Sequence, residues 1–293
     1  MVTIMTPTYN RAYILPQAYQ SLQAQTSFEF EWIVVDDGST DGTEELVTGW
    51  AACEEKFKIV YVKQPNGGKH RAVNKGVALA QYGSFLILDS DDILTPDAVA
   101  LVHQWMASIE NEQGFAGVAG LRGYRNTEGV IGGAPKMKGA YVDATNLERR
   151  KYGLLGDKIE VFKTDVLRQY PFPEFEGENF LRESASWDRI AADGYKIRWY
   201  NQVIYQCEYL QDGLTKTVNY DVYAKNFQGY LYCTRLHLKT KPFLYRLLHI
   251  GHFCKVAGRL HMSSKEVCGL LGISRIKLML AKCFCRLKSV FRS

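Results

Sequence analysis

Four polar clusters carry residue types that can hold an anion, a sugar or a cation: Thr6-Pro7-Thr8-Tyr9-Asn10-Arg11, Asp36-Asp37-Gly38-Ser39-Thr40-Asp41-Gly42-Thr43, Pro65-Asn66-Gly67-Gly68-Lys69-His70-Arg71 and Asp89-Ser90-Asp91-Asp92. Thr6, Tyr9 and Asp37 suit a planar base and a ribose, by hydrogen bonding and aromatic contact. Gly67 and Gly68 let backbone come close to an anion, and Lys69, His70 and Arg71 add positive charge beside it. Asp89 and Asp91 suit a sugar and a metal, because a hard divalent cation takes oxygen ligands, commonly one or two carboxylates plus a substrate diphosphate. A nucleotide diphosphate with a divalent cation fits this inventory. Taken singly, each cluster also reads as a turn: Asp-rich segments often follow strands, and the glycine-lysine segment makes a plain solvated loop.

The elements that must position these clusters decide between the two readings. Residues 31–35 and 85–88 read as strands buried on both faces, and residues 2–6 and 58–62 as further strands beside them. Between them, residues 13–25, 44–52 and 71–80 have helical spacing, and Thr95-Pro96 opens another helix as N-cap and first turn. Strands alternating with helices imply an α/β fold, a mostly parallel central sheet flanked by helices with right-handed crossovers. In such a sheet all four clusters fall at strand C-termini, on the rim where open α/β sheets bind ligands. Further along, residues 117–120 predict another strand, 129–139 a Gly- and Lys-rich loop, and 156–162 a strand leaving a turn, with Asp157 facing an acceptor. A helix carrying Trp187 and Arg189 ends at Gly194, followed by strands at 196–200 and 203–205.

A chain of 293 residues with 46% hydrophobic content has room for one large α/β domain plus an appendage. The seven cysteines are scattered without a CxxC pair, which fits free thiols in a reducing compartment better than disulfides or structural zinc. The first residues read as a strand instead of a signal peptide, and no run of eighteen apolar residues predicts a membrane span. Charge is unevenly spread. Residues 235–293 hold 13 Lys or Arg and one acid, Glu266, whereas the preceding residues hold 23 basic and 30 acidic ones. Within this basic, helical tail, Ile276, Met279, Leu280, Cys283, Phe284, Leu287, Val290 and Phe291 fall on one stripe at about 100° per residue. Arg275, Lys277, Lys282, Arg286, Lys288 and Arg292 lie off it, the pattern of a helix in an anionic membrane interface. A helix packed on its own domain gives a similar pattern. Residues 263–274 also resemble the first helix and turn of a helix-turn-helix DNA reader, the alternative reading of the tail, although nucleic acid is not the partner expected.

The segments TPTYNR, VVDDGSTDGT, PNGGKHRAVNKG and ILDSDD resemble the successive motifs of the family-2 glycosyltransferases with the GT-A fold, closely over the first 100 residues and more loosely to about residue 215. The resemblance implies an inverting transferase using a nucleotide-activated sugar, with UDP as the nucleotide, and a glycan or lipid-linked acceptor, as in bacterial surface polysaccharide assembly. It implies a catalytic domain over residues 1–215, with a nucleotide-sugar half (1–110) and an acceptor half (111–215), and a basic helical region over 216–293. Thr6, Tyr9 and Asp37 match residues that hold the nucleoside, and Lys69, Asn74, Asp89 and Ser90 match residues along the donor. Asp91, with Asp89, matches the acids that hold Mn2+ or Mg2+. Glu183 falls at the catalytic-base position, although the family's Glu-Asp pair is Arg182-Glu183 here, leaving Asp188 as the second candidate. Trp187 and Asp188, with Asp157, are the acceptor-side candidates. A His that family members often carry after the last strand is missing; Glu208 and Asp212 are the acids at hand to replace it. The expected location is the cytoplasm, peripherally on the inner face of the cell membrane.

Overall fold

The computed structural model describes residues 1–125, 127–208 and 218–290, without the side chains of 288–290. The chain divides into two compact units: residues 1–172 with 190–208, and residues 173–189 with the C-terminal region.

The first unit is built on one sheet. Its strands are β1 Val2–Thr8, β2 Phe30–Asp36, β3 Lys58–Lys63, β4 Ser84–Ile87, β5 Ile93–Leu94, β6 Phe115–Tyr124, β7 Tyr141–Ala144, β8 Lys158–Lys163 and β9 Lys196–Cys207. They lie in the order β3-β2-β1-β4-β8-β6-β9-β5, with β7 paired to β9. The β3-β2-β1-β4 half is wholly parallel, with Met5 opposite both Ile33 and Ile87, so the three loops that follow β1, β2 and β4 share one edge. That is the arrangement the apolar runs predict. Every residue of β2 is buried, as a strand covered on both faces requires. The covering helices are α1 Leu15–Gln23, α2 Thr43–Cys53, α3 Lys69–Leu79 and α4 Ala98–Ala107.

Beyond β4 the sheet becomes mixed. Antiparallel β8 sits between β4 and β6, and β6 runs parallel to β9. The strands predicted at 196–200 and 203–205 are one twelve-residue strand, kept paired by register shifts opposite Ala119–Leu121. Close backbone approach makes glycine necessary where these strands meet, since a Cβ on Gly117 would fall on the carbonyl oxygen of Val161. A short helix, α5 Thr164–Gln169, follows β8.

The second unit is helical. It takes the start of α6 (Ser184–Ala192), α7 Tyr220–Lys225, α8 Phe227–Thr240, α9 Phe243–Arg259, α10 Ser264–Leu271 and α11 Arg275–Val290. Leu231, Leu247, Ile250, Phe253, Val267, Leu278 and Ala281 form its buried core. Gly251 of α9 lets α11 pack closely, with Cys285 against its Cα. Residues 173–189, assigned from sequence to the acceptor half, belong to this unit for a local reason. The Glu178 carboxylate accepts hydrogen bonds from the first-turn amides of α8, Gln228 N at 2.6 Å and Gly229 N at 2.8 Å. Asn226 Oδ1 in turn accepts from Asn179 N and Phe180 N, at 2.8 and 2.9 Å. The orphan donors of a helix start are thereby satisfied by the incoming chain.

Candidate active site

The loops at the sheet edge are tied to one another by backbone groups. Asp37 N donates to Thr8 O at 2.8 Å, Asn10 N to Ser39 Oγ at 2.8 Å, and Thr40 N to Asn10 Oδ1 at 2.8 Å. Asn10 itself takes a left-handed conformation, φ 52°, which an Asn tolerates better than most residues. Asp36, wholly buried, accepts from Ser39 N at 2.7 Å and from the Tyr61 hydroxyl at 2.6 Å.

Asp37 has a role that its sequence context does not announce. Its carboxylate accepts from Gln64 Nε2 at 2.8 Å, Gly67 N at 2.9 Å and Gly68 N at 2.7 Å. The anion that the two glycine amides approach is therefore a side chain of this chain. Expected to hold a nucleoside, Asp37 uses both oxygens to hold the turn that precedes α3, Oδ1 accepting two of these bonds and Oδ2 one. Gly68 is the N-cap of that helix with φ +91°, a conformation only glycine adopts without strain, and Lys69 follows as its first residue.

Lys69 reaches the acid cluster after β4, its Nζ lying 2.6 Å from Asp89 Oδ1. On the other side Arg122 of β6 approaches Asp89 at 3.6 Å and Asp92 at 3.7 Å, with its guanidinium 4.3 Å from the centre of the Tyr205 ring. The Tyr205 hydroxyl donates to Asp92 Oδ2 at 2.7 Å and accepts from Asp89 N at 3.0 Å. Arg125 bonds to the backbone oxygen of Asp91 and to Gln17 Oε1. Burial would raise all three acids, but for Asp89 the charges of Lys69 and Arg122 prevail and hold its carboxyl below the usual range. Asp91 is pushed up by burial and by the charge of Asp89. Asp92 is pushed up to about 7 by burial and the same neighbour.

These residues fit a divalent cation. Asp89 and Asp92 are engaged by Lys69, Arg122 and Tyr205, whereas the Asp91 carboxylate makes no ion pair or hydrogen bond with the side chain of another described residue. A carboxylate raised by burial and by a like charge is relieved when a cation joins it. One such carboxylate with a second beside it is a sparse protein donor set, of the kind completed by substrate oxygens. No group of three or more His, Cys, Asp or Glu suited to a metal occurs among the described residues.

The other predicted residues fall in three places. Tyr9 is exposed at the rim, and the buried Thr8 hydroxyl beside it has no hydrogen-bond partner among the described residues. Thr6 does not reach that rim: it is fully buried, and its hydroxyl accepts the Trp32 indole N–H at 2.9 Å. The side-chain amide of Asn74 clamps the backbone of Phe172 with two bonds of 2.9 Å. Ser90 is buried within the acid cluster, and Asp157 is exposed in the turn before β8. Glu183, Trp187 and Asp188 belong to the second unit. Glu183 is half-buried at the start of α6, where its carbonyl accepts from Ser186 N and Trp187 N. Trp187 is buried, and Asp188, 1% exposed, pairs with Lys241 at 2.8 Å and His237 at 3.3 Å. Both are buried residues of the helical unit. Glu208 is exposed directly after β9, and Asp212 lies outside the described residues.

Sequence reasoning missed Arg122 and Tyr205, and named Asp92 in its cluster without giving it a separate role. Arg122 left one signal, a guanidinium inside an otherwise apolar strand, Val118-Ala119-Gly120-Leu121-Arg122. Tyr205 left none, since an aromatic residue in a strand is ordinary core composition.

The model of the family described as Glycosyl transferase family 2 matches residues 3–166, more than half of the chain, including the four polar clusters and Arg122 but not Tyr205. The chain belongs to that family. Succinoglycan biosynthesis protein ExoW of Rhizobium meliloti is 34% identical over 122 residues, 41% of this chain and 38% of that protein. TuaG of Bacillus subtilis, named for teichuronic acid biosynthesis, is 35% identical over 92 residues, 31% of this chain and 36% of that protein. The chain thus spans little more than a third of these curated relatives. Among solved structures, S. aureus TarS 1-349 in complex with UDP-GlcNAc superposes with a TM-score of 0.61 at 18% identity, over 97% of this chain and 87% of that one. Mannosyltransferase PcManGT from Pyrobaculum calidifontis, in complex with GDP-Man and Mn2+, gives 0.57 at 18% identity, over 97% and 84%. At such identities the likeness is one of fold, and the α/β fold with its mostly parallel sheet is the GT-A type that the motifs of this family-2 chain imply.

Proposed function

We propose that this chain is an inverting glycosyltransferase that moves a sugar from a nucleotide-sugar, a UDP-sugar foremost, to a hydroxyl of a glycan or lipid-linked acceptor in bacterial surface polysaccharide synthesis. The observation that carries the reading is the Lys69–Asp89–Asp91 group at the edge where the Gly67-Gly68 turn and Tyr9 converge. Relatives named for succinoglycan and teichuronic acid biosynthesis support the polysaccharide setting, and the TarS complex with UDP-GlcNAc supports the choice of UDP as first probe. The expected location is the inner face of the cell membrane; no helix among the described residues is long and apolar enough to cross it.

In this reading Tyr9 and the Thr8 hydroxyl receive the nucleoside, and Asp37 acts one step back by holding the turn that aims Lys69. Lys69 exchanges part of its pairing with Asp89 for a diphosphate oxygen, countering negative charge on the leaving group. Asp91, with Asp89 beside it, would hold Mn2+ or Mg2+, which when bound supplies further charge neutralisation to the departing diphosphate. Glu183 takes the proton of the acceptor hydroxyl as that oxygen attacks the anomeric carbon from the face opposite the leaving group. A single displacement inverts the configuration without a covalent enzyme intermediate, in parallel with inverting glycosidases.

The test is a screen of UDP- and GDP-sugars for metal-dependent donor hydrolysis by the full chain, followed by Glu183→Gln with the donor that responds. The variant is expected to keep nucleotide affinity and lose transfer to acceptor by at least about a hundredfold. Undiminished transfer removes Glu183 from the role of base. Absence of metal-dependent turnover with every nucleotide-sugar overturns the reading as a whole.

A further inference from the structure

The tail helix α11 has two apolar faces. Leu278, Ala281 and Cys285 form one, buried at 3% and 0% for the first two and packed on α9, where Cys285 meets Gly251 and Leu247. At about 100° per residue the other face lies on the opposite side of the helix. It consists of Ile276, Met279, Leu280 and Leu287, exposed at 68%, 61%, 49% and 61%, with exposed Cys283 among them. Of the described side chains in the stripe predicted from sequence, Phe284 packs against the unit's core while Ile276, Met279, Leu280, Cys283 and Leu287 stay exposed. Arg275, Lys282 and Arg286 run along one side of the exposed stripe, and Lys277 stands on the other. Lys277 also borders an open cleft of about 390 Å³, lined with Arg235, Lys239, Leu238, Leu270 and Ile273.

We infer that α11 docks lengthwise on an anionic lipid surface, with the Ile276–Leu287 stripe in the acyl boundary and a phosphate headgroup in the cleft of Arg235, Lys239 and Lys277. A large exposed apolar stripe marks an interaction surface, since monomers rarely leave one uncovered. Charge chooses the occupant. Cations on both sides of the stripe would face one another across a pairing with a second copy, but they match the headgroups of an anionic leaflet. The sixteen residues of α11 are about 24 Å long, too short to cross a bilayer core and sufficient to lie along its surface. Duplex DNA fits less well. Although α10, the left-handed Gly272 cap and α11 do form a helix-turn-helix, the outward face of α11 offers Ile276, Met279 and Leu280, whereas base edges and phosphates are contacted by polar groups. The cleft extends the point: cations beside Leu238, Leu270 and Ile273 accommodate an anion attached to an apolar tail better than an anion alone.

This deepens the membrane part of the proposed function and does not depend on the transferase part. The experiment is flotation of the full chain with phosphatidylcholine vesicles and with vesicles containing about one third phosphatidylglycerol. The wild type is expected to float only with the anionic vesicles and to be released by salt. The triple variant I276Q/M279Q/L280Q, altered only at exposed positions, should lose flotation, and Lys277→Gln and Lys239→Gln should each weaken it by roughly fivefold. Donor hydrolysis by the same variants should be unchanged, which separates failure of this inference from failure of the transferase reading. Flotation of the triple variant equal to wild type overturns the inference. So does a dimer, or a complex with duplex DNA, that the triple variant abolishes while flotation is absent in the wild type. Inorganic phosphate that binds the cleft and leaves flotation untouched removes the cleft from the docking surface.

Discussion

Replacing Asp37 by Asn separates a positioning role from a ligand contact. The carboxylate is 5% exposed and accepts from Gln64 Nε2, Gly67 N and Gly68 N. An Asn side chain keeps one acceptor oxygen, which can serve Gln64 and Gly67 where Oδ1 now does. Its amide nitrogen then faces Gly68 N–H, donor against donor, and the bond of 2.7 Å is lost. A hydrogen bond to a charged group is worth about 1.5–3 kcal/mol, and an unsatisfied buried donor costs about 1–3 kcal/mol. Since the two overlap, the expected loss is about 2–4 kcal/mol. It should be read as a lower urea midpoint at unchanged slope. Because Gly68 is the N-cap that delivers Lys69 to Asp89, UDP affinity measured by calorimetry should also fall by at least about tenfold, the equivalent of 1.4 kcal/mol. A variant as stable as wild type whose UDP affinity alone falls would make Asp37 a direct nucleoside contact and refute the positioning argument. A variant unchanged in both would show that the turn does not need the carboxylate at all.

Two further perturbations probe the scaffold. Gly117→Ala should destabilise the protein by about 3 kcal/mol or more, because the new methyl group meets the Val161 backbone across the β6–β8 pair. Gly49→Ala, in open space on α2, should stabilise it by about 0.5–1 kcal/mol, both read from urea unfolding. Lys158, 2% exposed, donates to the Ile131 and Leu155 carbonyls, and burial, then the nearby Arg149, lowers its ammonium to about 8. The unfolded chain keeps that proton to about pH 10.4, so between the two values it binds more protons than the folded chain and stability rises with pH. Relative to Lys158→Met, the wild type should gain about 2 kcal/mol between about pH 7.5 and 9.5; parallel pH curves would contradict the assignment.

Legibility in the sequence followed locality. The parallel half of the sheet could be read because β2 and β4 carry apolar runs that stop at polar clusters and the half-buried edge strand β3 keeps Ile59-Val60-Tyr61-Val62 between two lysines, and the pairing then follows from crossover rules. The β6–β9 half could not, because its register is set by contacts distant in sequence and by bulges that no composition announces. Asp37 shows the same limit at the site. An acid in a glycine-rich turn serves a ligand or a neighbouring backbone equally well, and only the placement of residues 64–68 against it decides. Thr6 and Asn74 sit within family motifs, yet their polar groups are taken by Trp32 and Phe172. For α11 the period marked an apolar stripe correctly but could not tell that a second, smaller-sided face, Leu278-Ala281-Cys285, would do the packing.

The central claim is that Asp91 supplies the cation-holding carboxylate at a diphosphate site framed by Lys69 and the Gly67-Gly68 turn. Its most direct measurement is calorimetric titration of UDP and GDP into the full chain with and without Mn2+, in wild type and in Asp91→Asn. The account predicts that Mn2+ tightens binding of one nucleotide by at least about tenfold in the wild type and has no such effect in the variant. Nucleotide binding that ignores Mn2+, or a Mn2+ effect that Asp91→Asn leaves whole, would contradict it.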